Sequence, residues 1–341
     1  MQPTFMRREI TEIPDAVENL LSCSAPVFQR AGRRLRETDP LVVATVARGS
    51  SDHAAAYLKY AIELTAGVPV ASLGPSIASI FGATLKLPQA ACFAISQSGK
   101  SPDIVRMADS TRKGGALSFA VTNTPGSPLT QVCDEVIDIA AGPERSVAAT
   151  KTFVNSAVAG LAVLAHWTRD GTLLRALDAL PSHLSSAIGC DWTALCEALD
   201  GTESLFILGR GPSLAMANEA ALKFKETCAI HAEAYSAAEV MHGPVSLVGK
   251  GFPILVLTAR DAAEATSVET ADQLAGKGAA VFSTSAKVAA APRLSFAATG
   301  HPLTDPLTLI ASFYSFIEAF ARRRGLDPDK PANLQKVTET R

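Results

Sequence analysis

Short, mainly apolar runs of strand length recur along this chain, and two of them pass through a polar turn into a longer alanine-rich stretch. They occupy residues 41–47, 91–95, 116–122, 204–208, 253–257 and 279–284. A strand that is apolar throughout, rather than alternating, is buried on both faces, as in a parallel sheet covered by helices. Alanine-rich stretches after the turns suit those helices. The pattern predicts an α/β fold built on doubly wound, mainly parallel sheets. It also predicts a helix over roughly residues 6–21, before the first strand. The apolar run 156–167 is too short to cross a bilayer and predicts a buried helix.

Two of these segments match. Leu41-Val-Val-Ala-Thr-Val-Ala-Arg-Gly-Ser-Ser51 and Glu203-Ser-Leu-Phe-Ile-Leu-Gly-Arg-Gly-Pro-Ser213 both run from an apolar strand into Arg-Gly-x-Ser. Their offset of 162 residues (Gly49 to Gly211) also carries residues 91–95 onto 253–257 and brings 116–122 close to 279–284. Three elements in register over one offset imply two copies of one strand–loop–helix domain. The boundary is expected near residue 185, after Pro181-Ser182. Residues 1–185 would then form the first domain, with its N-terminal helix, and 186–341 the second.

Composition narrows the function classes. Of 341 residues, 48% are hydrophobic and 19% charged, with a net charge of −2. No basic stripe suggests a nucleic-acid partner, and Arg33, Arg34 and Arg36, like Arg322, Arg323 and Arg324, suit solvated helix faces or ends. The six cysteines (Cys23, Cys92, Cys133, Cys190, Cys196, Cys228) include no CxxC and have mostly apolar neighbours. They fit reduced core or near-core thiols of a cytoplasmic protein. No HExxH or His/Cys cluster predicts a metal. No apolar stretch follows the charged N-terminus, so no signal peptide is expected.

In doubly wound sheets, ligands bind beyond the carboxyl ends of the strands. The loop after Ile95 reads Ser96-Gln-Ser-Gly-Lys-Ser-Pro-Asp103. Ser101 suits a helix N-cap and Pro102 the first helical position, so hydroxyls and free N–H groups converge on a helix N-terminus, a natural phosphate cradle. The plain alternative is a serine-rich turn with a cap. Arg48-Gly-Ser-Ser-Asp52 has the same design, with Ser51 able to share the ligand or, with Asp52, simply to close the next helix. Neither loop is a GxGxxG or a P-loop, so no dinucleotide, ATP or other cofactor is implied.

Candidate chemistry is densest between Glu219 and His242. Glu219, Lys223 and Glu226 share one face of a helix expected over residues 218–227, and its apolar flanks indicate burial. A carboxylate beside a partly buried lysine is a tuned acid–base group; the alternative is a surface ion-pair ladder. His242 directly precedes Gly243-Pro244, a turn signal that places its imidazole at a helix end or loop. On composition alone, the segment from Leu326 to Arg341 is a frayed tail and Lys336 a solvated charge.

Taken together, these segments resemble the sugar isomerase (SIS) family, in particular the isomerase half of glutamine–fructose-6-phosphate aminotransferase and the SIS-type glucosamine-6-phosphate deaminases. The resemblance spans essentially the whole chain. It rests on Arg48-Gly-Ser-Ser51, Ser96-Gln-Ser-Gly99, Glu144-x-x-Val-Ala-x-Thr-Lys151, Leu208-Gly-Arg-Gly211, Glu219-x-Ala-Leu-Lys-x-Lys-Glu226, His231-Ala-Glu-Ala-Tyr235, His242-Gly-Pro244 and Asn333-Leu-x-Lys336. By that resemblance, Ser51, Ser96, Gln97, Ser98 and Ser101 bind a sugar phosphate, and Val147 lines the pocket with its backbone, in the segment that opens at Glu144. Glu226 moves a proton between C1 and C2, and Lys223 positions the acid–base group or stabilises the enolic oxygen. His242 helps open the sugar ring from a neighbouring subunit, which implies a homodimer. Lys336, on a tail that closes over the site, contacts the sugar.

The first apolar strand begins near Leu41, which leaves no room before it for a glutamine-hydrolysing domain. The expected reaction is therefore glucosamine 6-phosphate to fructose 6-phosphate and ammonia. The alternatives are an isomerase, deaminase or deglycase for another phosphosugar, or a sensor that binds a sugar phosphate without converting it.

Overall fold

The computed structural model describes residues 3–336. The chain starts with α1 (Phe5–Thr11), α2 (Ile13–Cys23) and α3 (Ala25–Thr38). Then come β1 (Val42–Val46), α4 (Ser50–Thr65), β2 (Val70–Ser72), the short α5 (Ser76–Ser79), β3 (Ala90–Ile95), α6 (Pro102–Lys113), β4 (Leu117–Thr122), α7 (Pro128–Val132) and β5 (Glu135–Asp138). Helices α8 (Lys151–Thr168), α9 (Gly171–Ile188) and α10 (Thr193–Ala198) follow. The remainder is β6 (Ser204–Gly209), α11 (Pro212–Cys228), β7 (His231–Ser236), β8 (Pro253–Val256), α12 (Glu264–Gly276), β9 (Ala280–Ser283) and α13 (Asp305–Arg323).

These elements gather into two compact units. The N-terminal unit holds residues 15–144 and 151–178 with Gln335 and Lys336; the C-terminal unit holds residues 3–14, 145–150 and 179–334. The N-terminal unit is built on a five-stranded sheet ordered β2-β1-β3-β4-β5, the C-terminal unit on a four-stranded sheet ordered β7-β6-β8-β9. Every pairing is parallel. The strand order of the second sheet repeats that of the first, minus β5, as two copies of one doubly wound fold require. Each sheet has its own apolar core: Val46, Cys92, Ile104, Met107 and Leu129 in one, Leu208, Val240, Val256, Leu274 and Val281 in the other.

The repeat extends to single torsion angles. Gly49, before α4, has φ 56° and ψ −135°, and Gly211, before α11, has φ 58° and ψ −136°. Only glycine enters that region without strain, so Arg-Gly-x-Ser encodes the same sharp strand-to-helix turn twice.

The run 156–167 is helical and buried except at His166. Some elements depart from expectation. The N-terminal helix is broken at Glu12 into α1 and α2. Pro181 lies inside α9. Strands β2, β5 and β7 escaped the apolar-run criterion because β2 is three residues long, and β5 and β7 carry Glu135, Asp138, His231 and Glu233. All three sit at sheet edges, where polar residues are tolerated. Cys23 is exposed rather than near the core. In the N-terminal unit, α3 and α8 cross closely at Gly32, where a Cβ would fall 2.7 Å from the His166 carbonyl carbon.

In the C-terminal unit, α1 is held to α13 through Glu318, which is buried. Thr4 Oγ1 donates to it at 2.8 Å, Arg7 Nε at 2.9 Å and Arg322 Nε at 2.7 Å. Burial alone would raise the Glu318 pKa, but these donors outweigh it and hold the carboxyl below its usual 4.5. A depressed carboxylate stabilises the fold above its unfolded pKa and loses that contribution as pH falls through the folded value. Glu318→Gln should therefore lower the urea midpoint at pH 7, and the gap to wild type should narrow as pH is taken below 4.5. A gap constant across that range would show that the ionised carboxylate is not what holds α1.

Candidate functional site

The loops after β1 and β3 are neighbours, because these strands pair along their length. Between them lies a cavity of about 130 Å³ lined by Arg48, Ser51, Ile95, Ser96, Gln97, Ser98, Ser101, Ile104 and Lys336.

The backbone of this loop is fixed from below. The Gly99 N–H donates to Ser96 O and Ser96 Oγ, both at 3.2 Å, and Asn123 N–H donates to Gln97 O at 3.1 Å. Gly99 has φ 60°, and a Cβ there would meet Ser127 Oγ at 2.1 Å, so the tight turn excludes any side chain. Ser101 occupies the N-cap position of α6, with Pro102 next, yet its hydroxyl makes no capping bond. Ser51 lies inside α4, whose cap is Gly49. Simple capping thus accounts for neither hydroxyl, and both face the cavity.

Two cations border the same cavity, each tied to a buried carboxylate. Arg48 Nε and Nη2 both lie 2.7 Å from Asp103 Oδ2. Lys336 Nζ donates to Glu144 Oε2 at 2.9 Å, and Glu144 also accepts from Thr152 N at 3.1 Å and Thr152 Oγ1 at 2.6 Å. Lys336 is thus no solvated charge. Lys336 belongs to the N-terminal unit and borders the cradle, through a long-range contact that local composition does not reveal. The Arg48–Asp103 pair was likewise invisible, since its members are 55 residues apart.

The second copy differs at the matching positions. Ser213 and Thr258, which occupy the repeat positions of Ser51 and Ser96, are only 1% and 3% exposed. Arg260 and Ala263 stand at the positions of Ser98 and Ser101.

The C-terminal unit contributes a different group. On α11, Lys223 Nζ lies 3.3 Å from Glu219 Oε1 and bonds closely to Glu226 Oε2. The side chains of Lys223 and Glu219 have 0% exposure and that of Glu226 has 19%. Tyr314 of α13 donates to Glu219 Oε1 at 3.1 Å. The surface-ladder alternative is therefore excluded. Burial would depress the Lys223 pKa, but the flanking carboxylates prevail and hold the ammonium above its usual value. It stays charged, and Glu226 is the member of the array open to solvent. Lys225 points away, donating to Ala232 O at 3.2 Å. Sequence reasoning does not single out Tyr314, which is one of four hydroxyl residues among residues 307–317.

His242 ends a short 3₁₀ turn (Glu239–His242) just before Gly243, whose φ is 144°. It is exposed and has no hydrogen-bond partner among the described residues. Val147 is half-buried in the segment between β5 and α8. Among the described residues, no three His, Cys, Asp or Glu gather as a metal site would need, and no helix is long and apolar enough to cross a membrane.

The structure is thus two tandem parallel α/β units, one of them with a serine-lined cavity at its strand ends. A family model described as SIS domain matches residues 42–166 and 199–295, and the chain belongs to that family. It is 33% identical, over 98% of its length, to glutamine–fructose-6-phosphate aminotransferase (isomerizing) of Sulfolobus acidocaldarius. The chain spans only 56% of that relative. Among solved structures, a candidate phosphosugar isomerase from Silicibacter pomeroyi is 58% identical with a TM-score of 0.94, covering 96% of this chain and 100% of that one. The C-terminal domain of glucosamine-fructose-6-phosphate aminotransferase from Francisella tularensis shares the fold, with TM-score 0.83 at 24% identity over 97% of this chain and 99% of that one.

Removing Lys223 strands a fully buried carboxylate. Lys223→Met should destabilise the protein by about 3–5 kcal/mol, the usual cost of breaking a buried ion pair from one side. Adding Glu219→Gln should recover a large part of it. Urea denaturation of the single and double variants checks this, and equal midpoints for wild type and Lys223→Met would contradict it.

Proposed function

We propose that this chain is a phosphosugar isomerase acting on an amino sugar, converting glucosamine 6-phosphate and water to fructose 6-phosphate and ammonia. The phosphate is held by Ser51, Ser96, Gln97, Ser98 and Ser101. His242, supplied by a second copy of the chain in a homodimer, helps open the ring. Glu226 takes the proton from C2 of the open-chain aldehyde and returns it at C1. C2 is left as an imine, which water hydrolyses to the ketone with release of ammonia. Lys223 positions Glu226, and Lys336 contacts the sugar from the cradle side and forms an imine with a ketose. Glu144 and, through its backbone, Val147 also bind the substrate.

The observation that carries this reading is the buried Glu219–Lys223–Glu226 array, in which one carboxylate alone reaches solvent. A C–H beside a carbonyl needs a fixed base and a nearby cation for the charge that develops, and the array supplies both. The open serine cradle supports a phosphate on the substrate. The names of the relatives from Sulfolobus acidocaldarius and Silicibacter pomeroyi favour a phosphosugar and an amino group. Six free cysteines accord with the reducing cytoplasm, where we place the enzyme.

Ammonia release measured over a panel of 2-amino-2-deoxysugar 6-phosphates tests this. Wild type should release ammonia from glucosamine 6-phosphate, and Glu226→Gln should lower kcat by about 10²–10⁴-fold, the range for loss of a general base. Full activity in the variant would assign the base elsewhere. Binding without turnover of any panel member would favour a sensor.

A further inference from the structure

The N-terminal unit holds a second charged cavity, of about 360 Å³, where α3, the end of α8 and the start of α9 meet. It is lined by Gln29, Arg33, Arg36, His166, Arg169 and Gly171, with Leu174 at its apolar side, and shares no residue with the serine cradle. Its volume lies in the range of ~300–1,000 Å³ typical of small-molecule sites.

The arginines of α3 divide by helical face. Arg30 and Arg34, four apart, both turn to Glu135, at 3.0 and 2.8 Å. Arg33 and Arg36, three apart, turn to the cavity, where Arg169 joins them. Among the described residues, none of these three forms an ion pair with a carboxylate. Asp170, the nearest acid in sequence, is engaged elsewhere: its Oδ1 accepts from the N–H groups of Thr172 and Leu173 at 2.9 and 3.0 Å. Of the solvated helix face expected for Arg33, Arg34 and Arg36, Arg34 is thus neutralised while Arg33 and Arg36 line a concavity.

The cavity is also held in shape. The close crossing at Gly32 fixes α3 against the His166 backbone. Arg36 Nη1 donates to His166 O and, at 3.2 Å, to Trp167 O, covering carbonyls at the end of α8. Burial, with the neighbouring Arg36, holds His166 below its usual pKa, so a neutral imidazole with one N–H to donate faces the cavity.

We propose that this cavity binds a phosphate-bearing small metabolite through Arg33, Arg36, Arg169 and His166. Three guanidinium forks around one concavity match the several acceptor oxygens of a phosphate dianion, which takes paired N–H donors from more than one side. This site is independent of the catalytic reading above.

Isothermal titration with inorganic pyrophosphate at low salt tests it, using wild type, Arg33→Ala/Arg169→Ala and Ser98→Ala/Ser101→Ala. Arg33 and Arg169 are exposed, so their removal should leave the urea midpoint in place. Wild type should bind two equivalents per chain. The arginine double variant should lose one of them, by at least about tenfold in affinity, as expected for lost charge-assisted hydrogen bonds, and keep the other. The serine double variant should show the reverse. An isotherm for the arginine variant that matches wild type would overturn the proposal, as would a single equivalent in wild type that only the serine variant removes.

Discussion

The carboxyl ends of β1 and β3 lie side by side, and each strand must turn into a helix within a few residues. That constraint organises the N-terminal unit. Both strands are apolar and covered, so polar chemistry is confined to their ends. There Ser51, Ser96, Ser98 and Ser101 are brought to one small cavity. The turns themselves depend on Gly49 and Gly99, whose positive φ values leave no alternative residue at low cost. The same glycine turn recurs at Gly211, but there the hydroxyls of Ser213 and Thr258 are covered.

Charge is placed by burial in both units. Asp103 holds Arg48, Glu144 holds Lys336, and Glu219 with Glu226 holds Lys223. Two unit charges 4 Å apart at an effective dielectric near 20 attract by about 4 kcal/mol, comparable with the cost of desolvating them. Such pairs add little net stability, but breaking one is expensive, so each fixes a side chain where it stands. This is the kind of preorganisation that a developing negative charge on a substrate can use.

Much of this was legible before any coordinates. Mainly apolar runs marked the central strands, and the 162-residue offset implied two copies. The spacing of Glu219, Lys223 and Glu226 placed them on one helical face, because helical geometry is local. What escaped was either long-range or polar. The bonds Lys336–Glu144, Arg48–Asp103 and Tyr314–Glu219 join residues 192, 55 and 95 positions apart, and nothing nearby in the chain announces them. The edge strand β7 carries His231 and Glu233, so it failed a test designed for buried strands. The arginines of α3 were seen as one group, whereas the placement of Glu135 on β5 divides them.

The central claim is that this chain moves a proton between adjacent carbons of a sugar phosphate. Incubating it with fructose 6-phosphate in D₂O and following the sugar by NMR tests that directly, without reference to ammonia. The account predicts deuterium entering at C1 alone, at a rate that follows enzyme concentration. A sugar phosphate that binds, yet keeps all its carbon-bound protons, would contradict it.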